Sequence, residues 1–417
     1  MHPREGWLQP GVRRATAATA SLSRRQLLKA GGGIALAAML AGCSSTNPAP
    51  STTGLPLPRK DSPVRWPLYA DNRQISSDLE PEQGATLQLY NWVAYINESL
   101  IQNFCKKYNC NCQVTTFDTM EDALAKIASR EIQFDVFFPT VAVISQLVAA
   151  KLIRPLNHSY IPNIANAWPD YQDPFYDRGW RYTAPYSIYT TGMAWRRDKV
   201  DFAPSWNMPW QGTAFKGKVA VLDDYREAIS LALLRAGNLD LNTADPVAIR
   251  RAGAALQKLS ATTGVLIDEN DYSEIPTGET YIHQAWSGDM AMSSEYLPKG
   301  TSVDVIGYWF PEDRRGPVAN DLMVNLSGGA NPVLAHKFIN YMLDVDNALE
   351  NYSYVGYMQP LTAVTAERLV AEKLLDPHLI STVVRREYFR DGLFELELPL
   401  AADSLWESVW NSFSKGL

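Results

Sequence analysis

Three carboxylates follow a short apolar run near the middle of the chain. The strand predicted over residues 218–222 is followed by Asp223, Asp224 and Glu227, where an amphipathic pattern predicts a helix. One aspartate at a helix start can cap backbone N–H groups, which stabilises the helix by about 1 kcal/mol. Residues three apart share a helix face, and two carboxylates there repel each other unless a cation lies between them. We therefore assign Asp223 to capping or solvent and expect Asp224 and Glu227 to bind an ammonium group.

Aromatic and polar residues follow other predicted strands. Short strands alternate with helices in the first half of the chain, which indicates an α/β fold with parallel sheets under helices. In open α/β sheets, ligands bind beyond the carboxyl ends of the strands. Trp92 and Tyr95 follow the first predicted strand, and Thr140 follows the third. Ring faces for methylene groups, together with carboxylates for charge, suit an organic cation.

The period of the apolar residues predicts the individual elements. The predicted strands are 87–90, 112–117, 134–140 and 218–222, and residues 186–197 are rich in strand-forming residues. The predicted helices are 98–107, 120–128, 141–150, 246–260 and 332–343. In the last two helices a cap residue, Asp245 or Asn331, precedes a proline, which is a typical helix start.

The first residues predict export and a lipid anchor. Residues 23–29, SRRQLLK, form a twin-arginine export pattern, and the apolar run 31–41 is too short to span a bilayer. The sequence LAGC that ends at Cys43 resembles a lipobox. We predict a signal peptide over 1–42, lipidation at Cys43 and a tether over 43–84. The protein would lie at the periplasmic or extracytoplasmic face of the cell membrane.

Charge and cysteine content narrow the possible partners. The net charge of −7 becomes −12 when the six basic residues and the one acidic residue of residues 1–42 are removed. This charge argues against nucleic acid and favours cationic partners. We expect one disulfide from Cys105 to either Cys110 or Cys112, and neither a metal nor a cofactor.

Five stretches follow one another in the order seen in spermidine/putrescine-binding proteins of ABC importers. They are LYNWVAYI, YDRGWRYTAPYSIYTTGMAW, FKGKVAVLDDYREAISLALL, GETYIHQAWSGDMAM and YVGYMQP. The resemblance covers residues 85–417. It implies a two-lobe periplasmic-binding-protein type II fold of the α/β class, with crossover strands near 187–191 and 318–326. The first lobe would comprise 85–187 plus about 321–365, and the second 188–320 plus about 366–417.

The resemblance also implies roles for single residues. Trp92 and Tyr95 would line the cleft between the lobes, while Asp224 and Glu227 would hold one amino end of the ligand. It adds two aromatic residues to the site. The Trp before the Ser-Gly pair, Trp286, would stack along the methylene chain. The Tyr of the Gly-Tyr turn, Tyr357, would add a hydroxyl group.

Two stretches depart from the family pattern. Thr140 stands where the family has Ser, and Ala142 replaces a Tyr two residues later. The Trp-Met-Asp-Ser stretch of the second crossover reads Val-Ala-Asn-Asp here, so its Asp corresponds to Asn320 or to Asp321. These departures leave open how the second amino group of the ligand is held.

We predict a monomeric solute-binding lipoprotein that captures putrescine or spermidine by lobe closure and delivers it to an ABC permease. One alternative is a binding protein for another cationic or amino-containing solute, and another is a lipoprotein that keeps the fold without transport. A carboxylate-dependent glycosidase is less favoured, because Asp224 and Glu227 lie on one helical turn, whereas such pairs usually flank the bond from different strands. The chain contains no G-x-S-x-G, H-E-x-x-H or phosphate-loop motif, so we expect no enzymatic activity.

Overall fold

The computed structural model describes residues 53–416, which belong to one compact unit. The predicted signal peptide and Cys43 lie outside the described residues. Within 53–416, no helix combines the length and apolar character that crossing a membrane requires.

Strands form two separate sheets in the described part of the chain. The strands are β1 (Thr86–Trp92), β2 (Asn111–Phe117), β3 (Val136–Phe137), β4 (Ile153–Arg154), β5 (Ala184–Pro185), β6 (Tyr189–Arg196), β7 (Val219–Leu222), β8 (Leu266–Asp268), β9 (Ile282–Trp286), β10 (Ile306–Trp309), β11 (Val318–Ala319) and β12 (Leu322–Leu326).

Helices cover the sheets. The α-helices are α1 (Glu98–Tyr108), α2 (Met120–Ser129), α3 (Ile144–Ala149), α4 (Pro169–Gln172), α5 (Met208–Gln211), α6 (Tyr225–Arg235), α7 (Pro246–Thr263), α8 (Asp271–Thr277), α9 (Ser287–Met292), α10 (Pro332–Met342), α11 (Val345–Val355), α12 (Ala366–Ala371), α13 (Arg386–Asp391) and α14 (Leu400–Ser414). The 3₁₀ helices are Val141–Val143, His158–Tyr160, Pro162–Asn166, Gly212–Ala214, Ser293–Tyr296, Val303–Val305 and Pro377–Thr382.

Each sheet mixes parallel and antiparallel pairs. The first has the order β2-β1-β3-β12-β4, with β5 on β12, and the second β10-β6-β9-β7-β8, with β11 on β6. β1 is parallel to β2 and β3, and β7 is parallel to β8 and β9. β6 and β12 are antiparallel to their neighbours, so the prediction of parallel sheets is wrong for these two strands. The chain enters each of them from the other sheet instead of through a helical crossover within one sheet.

Two neighbouring segments carry the chain between the sheets. Residues 184–196 include β5 of the first sheet and β6 of the second, and residues 318–326 include β11 of the second sheet and β12 of the first. The backbone N–H groups of Tyr186 and Ser187 both donate to the carbonyl oxygen of Asp321, at 2.8 and 3.2 Å. Both crossovers are therefore confirmed. The exact lobe boundaries stay a prediction.

Apolar cores support the two sheets. The first core includes Leu89, Phe137, Val324 and Phe338. The second core includes Val221, Ile229, Leu256 and Trp406. The first core also includes Ala194, Ala285 and Ile306 of the second sheet, so close packing continues from one sheet into the other.

Local chemistry explains where some elements differ from the prediction. The strand predicted over 134–140 is shorter, since Pro139 cannot donate a hydrogen bond to a neighbouring strand and Thr140 leads into a 3₁₀ helix. Asp245 caps α7 as predicted, with its Oδ1 accepting from the N–H of Val247 at 2.9 Å. Asn331 does not cap α10. Its backbone and side-chain N–H groups donate to Asp135 instead, at 2.7 and 2.9 Å.

One disulfide joins α1 to β2. It links Cys105 to Cys112, which decides between the two pairings that the sequence leaves open, and it leaves Cys110 as a half-buried free thiol.

Candidate ligand-binding site

Asp224 is the cap of helix α6. Its Oδ1 accepts hydrogen bonds from the backbone N–H groups of Arg226 and Glu227, at 2.7 and 3.0 Å. Its backbone is extended, with φ −135° and ψ 126°, which is the conformation a capping residue needs. Asp223 is exposed, so the capping role that the sequence analysis offered to Asp223 belongs to Asp224. The Asp-x-x-Glu spacing is therefore explained in part by the helix start itself.

Glu227 is buried, and only one of its carboxylate oxygens is hydrogen-bonded. Oε1 accepts from the indole Nε1 of Trp286 at 2.9 Å and from the Thr191 hydroxyl at 2.7 Å. Oε2 is buried and finds no hydrogen-bond partner among residues 53–416. Burial raises the pKa of Glu227 well above its ordinary value, and the nearby carboxylates of Glu395 and Asp224 raise it further. A cation beside Oε2 would relieve both effects.

Asp321, at the second crossover, also has one hydrogen-bonded carboxylate oxygen and one without a partner. Its Oδ2 accepts from the Tyr95 hydroxyl at 2.7 Å and from the Ser187 hydroxyl at 3.2 Å. Its Oδ1 is buried, again without a partner in the described part of the chain. Burial raises the pKa of Asp321 to about 6, although the hydrogen bonds from Tyr95 and Ser187 lower it.

Four aromatic rings connect the two carboxylates, and we call Tyr95, Tyr357, Tyr189 and Trp286 the ring series. The centroid distances are 5.0 Å from Tyr95 to Tyr357, 5.3 Å from Tyr357 to Tyr189 and 6.5 Å from Tyr189 to Trp286. Each pair meets edge to face, which is a favoured arrangement for aromatic rings. The series thus leads from Tyr95, which binds Asp321, to Trp286, which binds Glu227.

Side chains on one side of the first crossover contact both carboxylates and the ring series between them. Ser187 binds Asp321, Tyr189 belongs to the ring series, and Thr191 binds Glu227. Alternate residues of an extended segment point to the same side, so these three side chains line one surface. Four residues at about 3.3 Å each place the α-carbons of Ser187 and Thr191 roughly 13 Å apart.

The sequence analysis missed three of these residues. It did not name Ser187, Tyr189 and Thr191 as site residues, although they occupy alternate positions of the predicted crossover 187–191. Glu395, on the segment that follows α13, was missed as well. Its Oε1 accepts from the Ser230 hydroxyl at 2.7 Å, and burial raises its pKa to about 7.

Thr140 lies beside the Asp321 end of the ring series, whereas Trp92 is not in contact with the series. Thr140 forms an isolated backbone bridge with Asp321. The Trp92 ring pairs instead with Phe117, at 4.5 Å between centroids, and lies against the first core. Asn320 donates from Nδ2 to the hydroxyl of Tyr176 at 3.2 Å. Of the two residues left open at the second crossover, Asp321 is the one that contacts Tyr95 and Ser187.

A glycine allows Tyr357 to enter the ring series. A Cβ atom at Gly288, in the first turn of α9, would lie 2.4 Å from the Tyr357 ring. Because glycine lacks a Cβ atom, the Tyr357 ring can lie directly against the backbone here.

Comparisons with known proteins agree with this fold. Residues 99–375 match the profile of the bacterial extracellular solute-binding protein family. Spermidine/putrescine-binding periplasmic protein 1 of Haemophilus influenzae is 26% identical over 331 residues, which cover 78% of this chain and 89% of that protein. The putrescine/cadaverine-binding protein of Pseudomonas aeruginosa is 29% identical over 288 residues, 66% of this chain and 80% of that protein.

A solved structure shows the same architecture. The spermidine/putrescine ABC transporter substrate-binding protein of Streptococcus pneumoniae, in complex with calcium and HEPES, superposes with a TM-score of 0.66 at 25% identity. The match covers 80% of this chain and 99% of that one. The predicted two-lobe fold and the predicted resemblance are both confirmed, and the homologues are transport binding proteins. The chain belongs to the family of bacterial extracellular solute-binding proteins.

Proposed function

We propose that this protein captures a linear polyamine, putrescine or spermidine, for an ABC importer. The observation that carries the proposal is the pair of buried carboxylates, Glu227 and Asp321, each with one oxygen that has no partner among the described residues. A buried carboxylate without a counter-charge costs free energy. One ammonium group at each end of the ring series would pair with both oxygens.

The spacing of the two ends favours a short diamine unit. Ser187 and Thr191, which hold the two carboxylates, are roughly 13 Å apart along the first crossover. An ammonium–carboxylate contact of about 3 Å at each end leaves room for about four or five methylene groups. Putrescine supplies such a unit, and so does the aminobutyl part of spermidine. The rings of Tyr189 and Trp286 would cover the methylene groups, which lose water on binding.

The names of the relatives support the same class of ligand. Those proteins are described as binding spermidine, putrescine or cadaverine. All three are linear amines that are protonated at neutral pH. The test below distinguishes among these amines.

Lobe closure would be the mechanism. Tyr95 follows β1 of the first sheet, whereas Glu227 and Trp286 are carried by elements around the second sheet. A diamine that contacts both groups binds the closed form better than the open form, and this difference in affinity drives closure. Asp224 and Glu395 add negative charge near Glu227 and would favour a protonated amine over a neutral analogue.

The experiment is calorimetry with a chain that lacks residues 1–43. Putrescine, cadaverine, spermidine and spermine form the test panel. Butylamine, with a single ammonium group, and 1,4-butanediol, with none, are the controls. We expect micromolar or tighter binding of at least one member of the panel, at least tenfold weaker binding of butylamine and no heat with the diol. Absence of both heat and thermal shift with every amine would refute the proposal, and equal binding of butylamine would refute the two-ended site.

We propose further that the protein is exported by the twin-arginine route and anchored through Cys43. The support is the order of the export pattern, the apolar run and the Leu-Ala-Gly-Cys sequence. Mass spectrometry of the membrane fraction should find the acylated Cys43 as the first residue. Cys43→Ser should release the protein from the membrane, and replacement of both Arg24 and Arg25 by Lys should stop export. A membrane-bound Cys43→Ser variant would contradict the anchor.

A further inference from the structure

The Nε2 atom of a buried histidine in the second sheet faces a carboxylate oxygen. His283 lies in β9 and is fully buried. Its Nδ1 contacts the backbone carbonyl oxygen of Gln284, which can only accept, so Nδ1 carries the hydrogen. In the neutral ring, Nε2 then presents its lone pair. Oδ1 of Asp268 lies 3.3 Å from Nε2, so two acceptors face each other unless a proton or a metal ion lies between them.

A second carboxylate completes the group. Glu274 lies in α8, and one of its oxygens lies within 4.8 Å of the ligand atoms of both His283 and Asp268. Oε2 of Glu274 is buried and has no hydrogen-bond partner among residues 53–416. Its Oε2 could therefore take a ligand without losing a hydrogen bond.

The sheet geometry explains how distant residues meet here. His283 is paired with Ala220 and Asp268 with Leu222, so β7 lies between the strands that carry the histidine and the aspartate. Side chains at paired positions of parallel strands point to the same face. The short side chain of Ala220 leaves room for the imidazole to reach across β7 to Asp268.

We propose that His283, Asp268 and Glu274 bind a divalent transition-metal ion, with Zn²⁺ as the best match. Imidazole nitrogen and carboxylate oxygen are usual zinc ligands, and ligands about 2.0–2.1 Å from a tetrahedral ion lie about 3.3 Å from each other. The Nε2–Oδ1 distance has this value already. Two carboxylates balance the charge of the ion, and the contact of Nδ1 with a carbonyl orients the ring as in known metal sites.

The proposed metal site is separate from the amine site but adjoins it. It would join β8, α8 and β9, and Asp271 of α8 accepts a hydrogen bond from the backbone N–H of Trp286 at 3.1 Å. Metal binding would therefore stabilise the part of the second lobe that carries one end of the ring series. It requires no polyamine, so it stands or falls independently of the proposed transport function.

The test is a Zn²⁺ titration of a tag-free chain lacking residues 1–43, after removal of metal with a chelator. We expect one Zn²⁺ per chain and a rise in the unfolding midpoint of about 2 °C or more. Ca²⁺ is the control ion, since it prefers six or more oxygen ligands. Absence of zinc binding, or equal binding of Ca²⁺, would overturn the proposal and would leave a histidine–aspartate ion pair.

Variants locate the bound ion. Glu274→Gln and His283→Gln should each weaken Zn²⁺ binding at least tenfold. His378→Gln is the matched control, because His378 lies on the surface between Asp304 and Asp376, at 2.8 and 2.9 Å. Cys110→Ser controls for the free thiol. Binding lost in either control, or unchanged in Glu274→Gln, would overturn the proposal.

A folding control keeps the result decisive. Glu274 is partly exposed, so Glu274→Gln is the variant least expected to disturb the core. Co²⁺ in place of Zn²⁺ adds a visible absorption band that reports coordination directly. That band should be present in the wild type and in His378→Gln and lost in Glu274→Gln, while all three unfold with the same midpoint before metal is added.

Discussion

Trp286 donates from its indole Nε1 to Oε1 of Glu227 at 2.9 Å, so the last ring of the series also orients the carboxylate at its end. Tyr95 does the same for Oδ2 of Asp321 at 2.7 Å. At each end a second donor, the hydroxyl group of Thr191 or of Ser187, binds the same oxygen. The other oxygen of each carboxylate is thereby left for a ligand.

Removal of the indole N–H should weaken amine binding without loss of the ring. In Trp286→Phe the aromatic face stays, but Glu227 loses one of two hydrogen bonds that orient it. We expect calorimetry to show a loss in putrescine affinity of about tenfold or more, since a hydrogen bond to a charged group contributes about 1.5 kcal/mol or more. Trp92→Phe is the matched control and should bind like the wild type, because Trp92 pairs with Phe117 outside the ring series. An equal loss in both variants would contradict the geometry.

Asp321→Asn should weaken amine binding and stabilise the ligand-free protein. The amine loses a charge-assisted contact, so affinity should fall at least about tenfold. Burial raises the pKa of Asp321 from its ordinary value to about 6 in the folded protein. Its contribution to stability is then present below about pH 4 and is lost as the pH rises through 6. At pH 7.5 the variant should gain up to about 3 kcal/mol, measured by denaturant unfolding.

The same measurement at pH 4 supplies the control for Asp321→Asn. There the wild-type carboxyl is protonated and the gain should shrink toward zero. A gain of equal size at both pH values would show that charge is not its cause.

Amine affinity should fall as the pH is lowered from 8 to 5. Burial raises the pKa of Asp321 to about 6 and that of Glu395 to about 7, and it raises the pKa of Glu227 strongly. Binding of an ammonium group requires the ionised forms, so protons must leave when the amine binds. At pH 5, Asp321 alone should reduce the affinity about tenfold. Calorimetry in two buffers of different ionisation enthalpy should detect proton release near pH 6, and zero release there would contradict the prediction.

The two adjacent aspartates should respond differently to replacement by Ala. Asp224→Ala removes the cap of α6 and should lower the free energy of unfolding by about 1 kcal/mol. Asp223→Ala changes an exposed side chain and should alter stability by less than about 0.5 kcal/mol. Denaturant unfolding of the ligand-free variants measures both effects. Equal stability of the two variants would contradict the assignment of the cap to Asp224.

A methyl group at Gly288 should displace the Tyr357 ring. The added Cβ in Gly288→Ala would lie 2.4 Å from that ring, so Tyr357 must move. We expect a loss of stability of about 1–3 kcal/mol, as for overpacked cores, together with weaker amine binding. Gly328→Ala is the control, because a Cβ at Gly328 meets no atom within 4 Å. Unchanged amine affinity in Gly288→Ala would place Tyr357 outside the binding surface.

Several features of this protein depend on residues that are close in sequence, and these could be predicted. Alternation of strand and helix follows from apolar periodicity, which is local. The placement of Tyr95 after a strand and of Glu227 in the first turn of a helix depends on neighbours within a few positions. The same is true of Trp286 beside a Ser-Gly pair.

Tertiary structure decided which oxygen of each carboxylate is used and which residues are partners. Whether Asp223 or Asp224 caps α6 depends on which of these adjacent residues has the extended backbone angles that a cap requires. The roles of Ser187 and Thr191 depend on contacts with Asp321 and Glu227, which are far away in the chain and belong to different elements. Local sequence carries no information on such contacts, because they form only when the crossovers bring the two sheets together and burial removes the carboxylates from water.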